Sequence, residues 1–191
     1  CQIGFLRENW RARLNSDTAL VLVHANNPHG FAHLRRVNED NIDLNRNFIN
    51  FEGGLPKSPG YAKLHASLVP DTWNGRARED ADRVIEAFKQ REGLKIFQQI
   101  TSTGQYTYPD GLFYGGCGPS WSRRTIEGFA RKCLSGAQRI AMVDFHTGLG
   151  PRGYGEVIGR GGLDDPQYER TCAWYGSNVK SAAIGNSVSV R

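Results

Sequence analysis

Two short apolar runs stand out in a chain that is otherwise polar. Residues 18–24 read Thr-Ala-Leu-Val-Leu-Val-His, and residues 139–145 read Arg-Ile-Ala-Met-Val-Asp-Phe. A continuous apolar run of this length is typical of a strand buried on both faces of a parallel sheet. Residues 156–159 predict a short third strand on the same grounds.

Elsewhere, apolar residues recur at helical spacing. This pattern predicts helices over residues 59–68, 77–100, 119–134 and 166–175, and residues 2–13 read as the end of an amphipathic helix. Strands that alternate with helices indicate an α/β architecture. We therefore expect a mixed, mostly parallel sheet flanked by helices, in a single domain over residues 1–191.

Two segments between these elements read as loops. Residues 25–60 are crowded with Asn, Gly and Pro, and residues 105–118 are rich in Gly and Tyr, which predicts an exposed loop. A loop as long as the first is usually functional or disordered. Because it contains the run Asp43-Leu44-Asn45-Arg46-Asn47-Phe48, a functional loop is the better interpretation.

Composition and charge narrow the class of protein. The 191 residues are 39% apolar and 23% charged, which is ordinary for a globular domain, and no run of about 18 apolar residues predicts a membrane span. The net charge of +5 is spread over short basic pairs diluted by acidic residues, so a nucleic-acid surface is not expected. The four cysteines lack Cys-x-x-Cys spacing, which favours free thiols in a reducing compartment and a cytoplasmic location.

The candidate chemistry lies in two segments. Arg46 offers a planar fork of donors that a carboxylate can accept two at a time, and Asn45 adds a neutral donor beside it. His146 follows the second predicted strand. Since ligands tend to bind beyond the carboxyl ends of strands in α/β sheets, we expect the two segments to face a common pocket.

Motifs in these segments resemble a known group of enzymes. The stretch from His24 to Gly30 (His-Ala-Asn-Asn-Pro-His-Gly), then Arg36 and the Asp43–Phe48 run, resembles the substrate-binding region of the zinc carboxypeptidase superfamily. The later residues 144–150 (Asp-Phe-His-Thr-Gly-Leu-Gly) resemble that superfamily's third zinc-ligand segment. The chain is most similar to bacterial carboxypeptidase-like proteins of unassigned function (DUF2817), and is related to aspartoacylase and succinylglutamate desuccinylase.

The resemblance implies roles for individual residues. It makes His146 a zinc ligand, and it makes Asn45 and Arg46 the residues that hold the carboxylate of a C-terminal residue or an N-acyl amino acid. Arg36 is a weaker candidate for a second basic contact with the substrate. Asp144 is predicted on the same side of the strand as His146, where it would orient the metal-bound imidazole.

The chain also departs from the superfamily pattern. It contains no match for the His-x-x-Glu that supplies the first two zinc ligands, and the general-base glutamate is expected beyond the C-terminal end. A catalytic zinc needs three protein ligands and one open position. We therefore expect a fragment truncated at both ends, inactive by itself, of a zinc-dependent hydrolase that cleaves an amide bond next to a free carboxylate.

Two alternatives remain open for the function. An N-acyl-amino-acid deacylase would enclose a small molecule, whereas a carboxypeptidase needs a groove for a peptide. A non-catalytic module would keep the carboxylate-binding residues without a metal.

Other polar residues carry weaker signals. His29 and His33 are four residues apart, but Pro28 and Gly30 argue against a regular helix and hence against a metal pair. Residues 148–153 match a dinucleotide fingerprint, yet the following residues read as strand rather than helix. Glu156 is the nearest carboxylate after His146 and a candidate for the border of the pocket, not for the general base, and His65 has no evident partner.

Overall fold

The computed structural model describes residues 2–146 and 151–187, apart from the side chain of Arg11. Helix accounts for 44% of the residues and strand for 2%. No sheet forms within the two described ranges, where pairing is limited to isolated bridges that join Gln105 to Tyr114 and Ile158 to Lys180. The predicted α/β class, with its mostly parallel sheet, is therefore wrong.

Helices supply the regular structure. In chain order they are α1 (Gln2–Arg7), a 3-10 helix (Trp10–Arg13), α2 (Pro28–His33), α3 (Leu44–Asn47), α4 (Pro59–Leu68), α5 (Gly75–Glu92), α6 (Leu94–Ser102), α7 (Trp121–Cys133) and α8 (Pro166–Tyr175). The bounds predicted for α4 and α8 are confirmed. Each of these two helices begins with a proline, which suits the first turn because its missing N–H would have no intrahelical partner there.

Two predicted helices are interrupted in the structure. The helix expected over residues 77–100 is divided into α5 and α6 by Gly93, whose φ of 92° lies outside the helical region. Glycine adopts this conformation without the steric cost that a Cβ would bring. The helix expected over residues 2–13 ends at Arg7 and continues only as the short 3-10 helix.

The predicted strands do not form as expected. Residues 18–24 and 139–145 are non-helical and belong to no assigned strand, and their apolar side chains are accessible: Val21 is 45% and Val143 63% exposed. An apolar run satisfies its backbone as a strand only when a second strand accepts its hydrogen bonds. Residues 156–159 form only the bridge at Ile158.

The chain divides into two compact units. The first comprises Cys1–Ala81 and Gly104–Phe145. Its core includes Tyr61 and Leu64, each 1% exposed, which lie three residues apart on one face of α4. These two residues bury one face of α4, and the loop of residues 105–118 is hydrogen-bonded to this helix through Tyr61.

The second unit comprises Asp82–Thr103 and His146–Arg191. Tyr168 on α8 donates a hydrogen bond of 3.2 Å from its hydroxyl to the carbonyl of Val179, which is 1% exposed. The amide of Gly159 donates to the carbonyl of Lys180 at 2.8 Å. These contacts build a small core around α8.

Two further predictions concern the cysteines and membrane-spanning helices. Cys117, Cys133 and Cys172, the cysteines that the structure describes, are free, as predicted. None of the helices found in the described ranges is long and apolar enough to cross a membrane.

Candidate functional site

Asp43 organises the segment that the sequence singles out. This residue is 2% exposed and precedes α3. One carboxylate oxygen accepts the amide of Asn45 at 3.0 Å, which caps the helix, and the other accepts Nε of Arg36 at 2.8 Å. The amide of Asp43 donates to the carbonyl of Tyr114 at 2.7 Å. A single buried carboxylate thus fixes both the guanidinium of Arg36 and the start of the helix that carries Asn45.

Asn47 anchors the other end of α3. Its side chain is fully buried, and Nδ2 donates to the carbonyls of Gly115 at 2.8 Å and Gly118 at 2.9 Å. Its Oδ1 accepts the amide of Ser120 at 2.8 Å. Residues four apart share one face of a helix. The buried Asp43 and Asn47 therefore attach α3 to the rest of the first unit, and Asn45 between them stays exposed.

The ring of Phe113 brings two arginines together. The guanidinium carbon of Arg36 lies 5.1 Å from the ring centroid, and that of Arg46 lies 5.8 Å from the same centroid. Phe113 has a φ of 53°, in the left-handed region that bulky residues rarely adopt. Such a conformation costs about 1–3 kcal/mol and persists only where the surrounding structure enforces it.

Two residues, Gly104 and Tyr106, fix the position of Arg46. Tyr106 donates a hydrogen bond of 2.6 Å from its hydroxyl to the carbonyl of Arg46. Burial raises the pKa of Tyr106, and the nearby Arg46 partly offsets this rise, so the phenol stays protonated and remains a donor at neutral pH. Gly104 lies against the same arginine: a Cβ built there would be 2.5 Å from Cδ of Arg46. Only a glycine at position 104 leaves room for this side-chain position.

The loop of residues 105–118 supports these contacts. Gln105 is fully buried, and its side chain accepts the amides of Thr107 and Tyr108 and donates to the carbonyl of Tyr108. The amide of Leu112 donates to the hydroxyl of Tyr61 at 2.6 Å. The prediction of an exposed loop is therefore only partly correct, since residues 105–118 form a loop that is internally hydrogen-bonded and partly buried.

The predicted site residues are divided between the two units. Arg36, Asn45 and Arg46 lie together in the first unit, which also contains Asp144, while His146 belongs to the second unit. Asp144 and His146 are both exposed and make interactions of their own. The proposed alignment of Asp144 with His146 depended on a strand, and no strand is assigned to residues 139–145. Residues 147–150 lie outside the described residues, and with them half of the dinucleotide-like pattern at residues 148–153.

A zinc site can be tested against the side chains present. Across residues 2–146 and 151–187, no group of three or more His, Cys, Asp or Glu side chains is arranged to hold a metal ion. A catalytic zinc needs three protein ligands. A catalytic zinc at His146 would therefore take its other ligands from outside these residues. In the second unit, Glu156 accepts a hydrogen bond of 2.5 Å from the hydroxyl of Ser187.

Two expectations about histidines are corrected. Pro28 was expected to prevent a helix, but it occupies the first turn of α2, and the rings of His29 and His33 lie 4.5 Å apart. His65, for which no partner was evident, stacks on Tyr108 at 3.8 Å and lies 3.5 Å from a carboxylate oxygen of Asp110.

Sequence reasoning missed three residues that build the site: Gln105, Tyr106 and Phe113. They lie some 60 residues or more beyond the α3 segment, in a loop that was read only for its glycine and tyrosine content. The strained Phe113 and the buried Gln105 carry no local sequence signal. The alternation of glycines with aromatics was the available clue, because glycines commonly mark places where backbone or side chains approach closely.

Comparison with known proteins gives one match. A family model described as "Protein of unknown function (DUF2817)" matches residues 1–191, the whole chain. Searches of curated proteins and of solved structures found no match.

Proposed function

We propose, from the geometry of the site, that this chain, which belongs to the DUF2817 family of proteins, recognises a free carboxylate on an amide substrate through Arg36, Asn45 and Arg46. The reaction we propose is hydrolysis of the amide bond next to that carboxylate. The substrate is a peptide C-terminus or an N-acyl amino acid.

The observation that carries this proposal is the pair of guanidinium groups on one Phe113 ring. The carboxylate of Asp43 accepts a hydrogen bond of 2.8 Å from Nε of Arg36. Two guanidinium groups on one ring concentrate positive charge, which attracts an anion. Arginine forks suit a carboxylate because they donate two parallel hydrogen bonds to it.

The rigidity of the site supports recognition rather than a chance grouping of charges. The buried Asp43 orients Arg36, the phenol of Tyr106 holds the backbone of Arg46, and the helix cap sets the position of Asn45. Donors fixed before the ligand arrives lose less conformational freedom on binding. Phe113 accepts a strained backbone conformation at the centre of this group, as residues at binding sites often do.

The hydrolytic part of the proposal rests on the sequence resemblance. We propose membership of the zinc carboxypeptidase superfamily, with zinc as the cofactor and His146 as one ligand. A catalytic zinc requires three protein ligands, of which the resemblance assigns only His146, so the site geometry supports the binding step alone.

Calorimetry with two related ligands tests the binding step. N-acetyl-L-alanine carries the carboxylate, and N-acetyl-L-alaninamide lacks it. We expect only the acid to bind, and we expect Arg46→Gln to weaken its binding about tenfold or more, since a hydrogen bond to a charged group contributes about 1.5–3 kcal/mol. Arg131→Gln is the matched control, because Arg131 is an exposed arginine of α7 with 72% of its side chain accessible. Equal binding of acid and amide would contradict the proposal.

Hydrolysis of N-acetyl amino acids and dipeptides by the product of the complete gene, measured with added zinc and with a chelator, tests the reaction. Zinc-dependent turnover that His146→Ala abolishes would support the enzyme. Arg46-dependent binding without turnover of any substrate would instead identify a carboxylate-binding module.

A further inference from the structure

A cleft opens beside Arg36 in the first unit. Its volume of 470 Å³ falls within the range of about 300–1,000 Å³ that is usual for small-molecule sites. Besides the charged Arg35, Arg36 and Asp110, the cleft has an apolar lining made of Val37, Leu68, Val69, Pro70, Trp73, Leu112 and Phe113. The apolar part of this lining suits an apolar group of a ligand.

The walls of this cleft are held in place by hydrogen bonds. Asn41, at a φ of 59°, donates from Nδ2 to the carbonyls of Pro109 at 2.8 Å and Gly111 at 3.0 Å. The amide of Leu112 donates to the hydroxyl of Tyr61, which is itself buried. The two loops that meet at the cleft are thus joined to each other and to α4.

Phe113 connects the cleft to the carboxylate site. Its ring lies against Arg36 and Arg46, and the same residue lines the cleft. Arg36 is also shared, since it lines the cleft while its Nε is bound to Asp43. A ligand whose carboxylate reaches these arginines therefore has its neighbouring substituent next to the apolar walls.

Trp73 and Leu112 leave part of this apolar surface uncovered. Trp73 is 57% exposed and Leu112 is 45% exposed. The guanidinium carbon of Arg78 lies 5.3 Å from the centroid of the Trp73 ring. An indole ring has two flat faces, so an aromatic group can stack on the other face at little cost in conformational entropy. A small or acidic substituent would leave this surface in contact with water.

We propose that the cleft selects carboxylate ligands with a large apolar substituent, above all an aromatic one, next to the carboxylate. This inference rests on the proposed function, because it assigns the substituent of the ligand that Arg36 and Arg46 bind. The favoured class is that of N-acyl aromatic amino acids, or peptides that end in an aromatic residue.

The test compares three probes on the same protein: N-acetyl-L-phenylalanine, N-acetylglycine and N-acetyl-L-phenylalaninamide. Burial of a phenylalanine side chain contributes about 1.5–3 kcal/mol. We therefore expect the phenylalanine acid to bind at least tenfold more tightly than the glycine acid. Trp73→Ala should remove most of this difference, and because Trp73 is exposed the variant should fold normally. Trp121→Ala is the matched control, since Trp121 on α7 is 53% exposed and does not line the cleft.

The outcomes separate this inference from the proposed function. If both acids bind with equal affinity and depend on Arg46, the cleft has no selective role and the carboxylate site stands. If the phenylalanine amide binds as tightly as the acid and Trp73→Ala weakens both, the cleft stands and carboxylate recognition fails. If no probe binds, both are overturned.

Discussion

Asn47 offers the sharpest test of how the site is built, because its side chain is buried and satisfies three backbone groups. Replacing it with alanine removes the hydrogen bonds to the carbonyls of Gly115 and Gly118 and from the amide of Ser120. Each of these bonds contributes about 1 kcal/mol net, and a buried partner left unsatisfied adds to the loss. We expect Asn47→Ala to lower the free energy of unfolding by about 3–5 kcal/mol, a large part of the 5–15 kcal/mol typical of a whole protein.

Two measurements check this expectation. Urea denaturation gives the change in the free energy of unfolding, and hydrogen exchange reports on the amide of Ser120, whose protection should fall when its acceptor is removed. Asn45→Ala is the matched control on the same helix, because Asn45 is exposed. It should leave stability within about 0.5 kcal/mol while it weakens carboxylate binding.

The reasoning would be refuted by a variant that behaves like the wild type. If Asn47→Ala costs less than about 1 kcal/mol and the exchange of the Ser120 amide is unchanged, Asn47 does not join α3 to the loop. Asn47→Asp provides a second check, since the carboxylate keeps the acceptor for Ser120 but turns an oxygen toward two carbonyls. It should be at least as destabilising as alanine.

Two further predictions follow from the same loop. Gly104→Ala places a Cβ 2.5 Å from Cδ of Arg46 at a φ of 105°, so it should cost about 1–3 kcal/mol and weaken carboxylate binding, whereas Gly128→Ala, with open space around it, should do neither. Burial raises the pKa of Tyr61 and of Tyr106 above the ordinary 10.0, so the folded state keeps these protons after the unfolded chain has lost them. The free energy of unfolding should therefore be insensitive to these groups below about pH 10 and fall as the pH rises beyond it. Urea midpoints between pH 8 and 11 measure this fall, and an equal fall in Tyr61→Phe would show that Tyr61 does not contribute.

The helices were the part of the fold that local sequence could predict. The bounds of α4 and α8 follow from a proline at the first helical position and from apolar residues at helical spacing. Both signals act within one or two turns, so no distant residue has to be known. The break between α5 and α6 was missed because the apolar pattern continues across Gly93.

The strands could not be predicted in the same way. Residues 18–24 and 139–145 have the composition of buried strands, but a strand exists only when another segment accepts its hydrogen bonds. That partner is a property of the tertiary structure, and neither segment is paired into a sheet within the described residues. Composition correctly identified the apolar segments, but it led to the wrong prediction that they pair as strands of a sheet.

For the site, the sequence by itself predicted Asn45 and Arg46 as donors to a carboxylate, because amide and guanidinium groups are recognisable by their chemistry, and the family resemblance added Arg36. Only the tertiary structure decided that Asp43 and Asn47 of the same short run are buried supports. It also decided that Phe113, 67 residues beyond Arg46, lies against both arginines. Chemical type is a property of each residue alone, whereas burial and long-range contact depend on how the whole chain closes its loops, which no local pattern encodes.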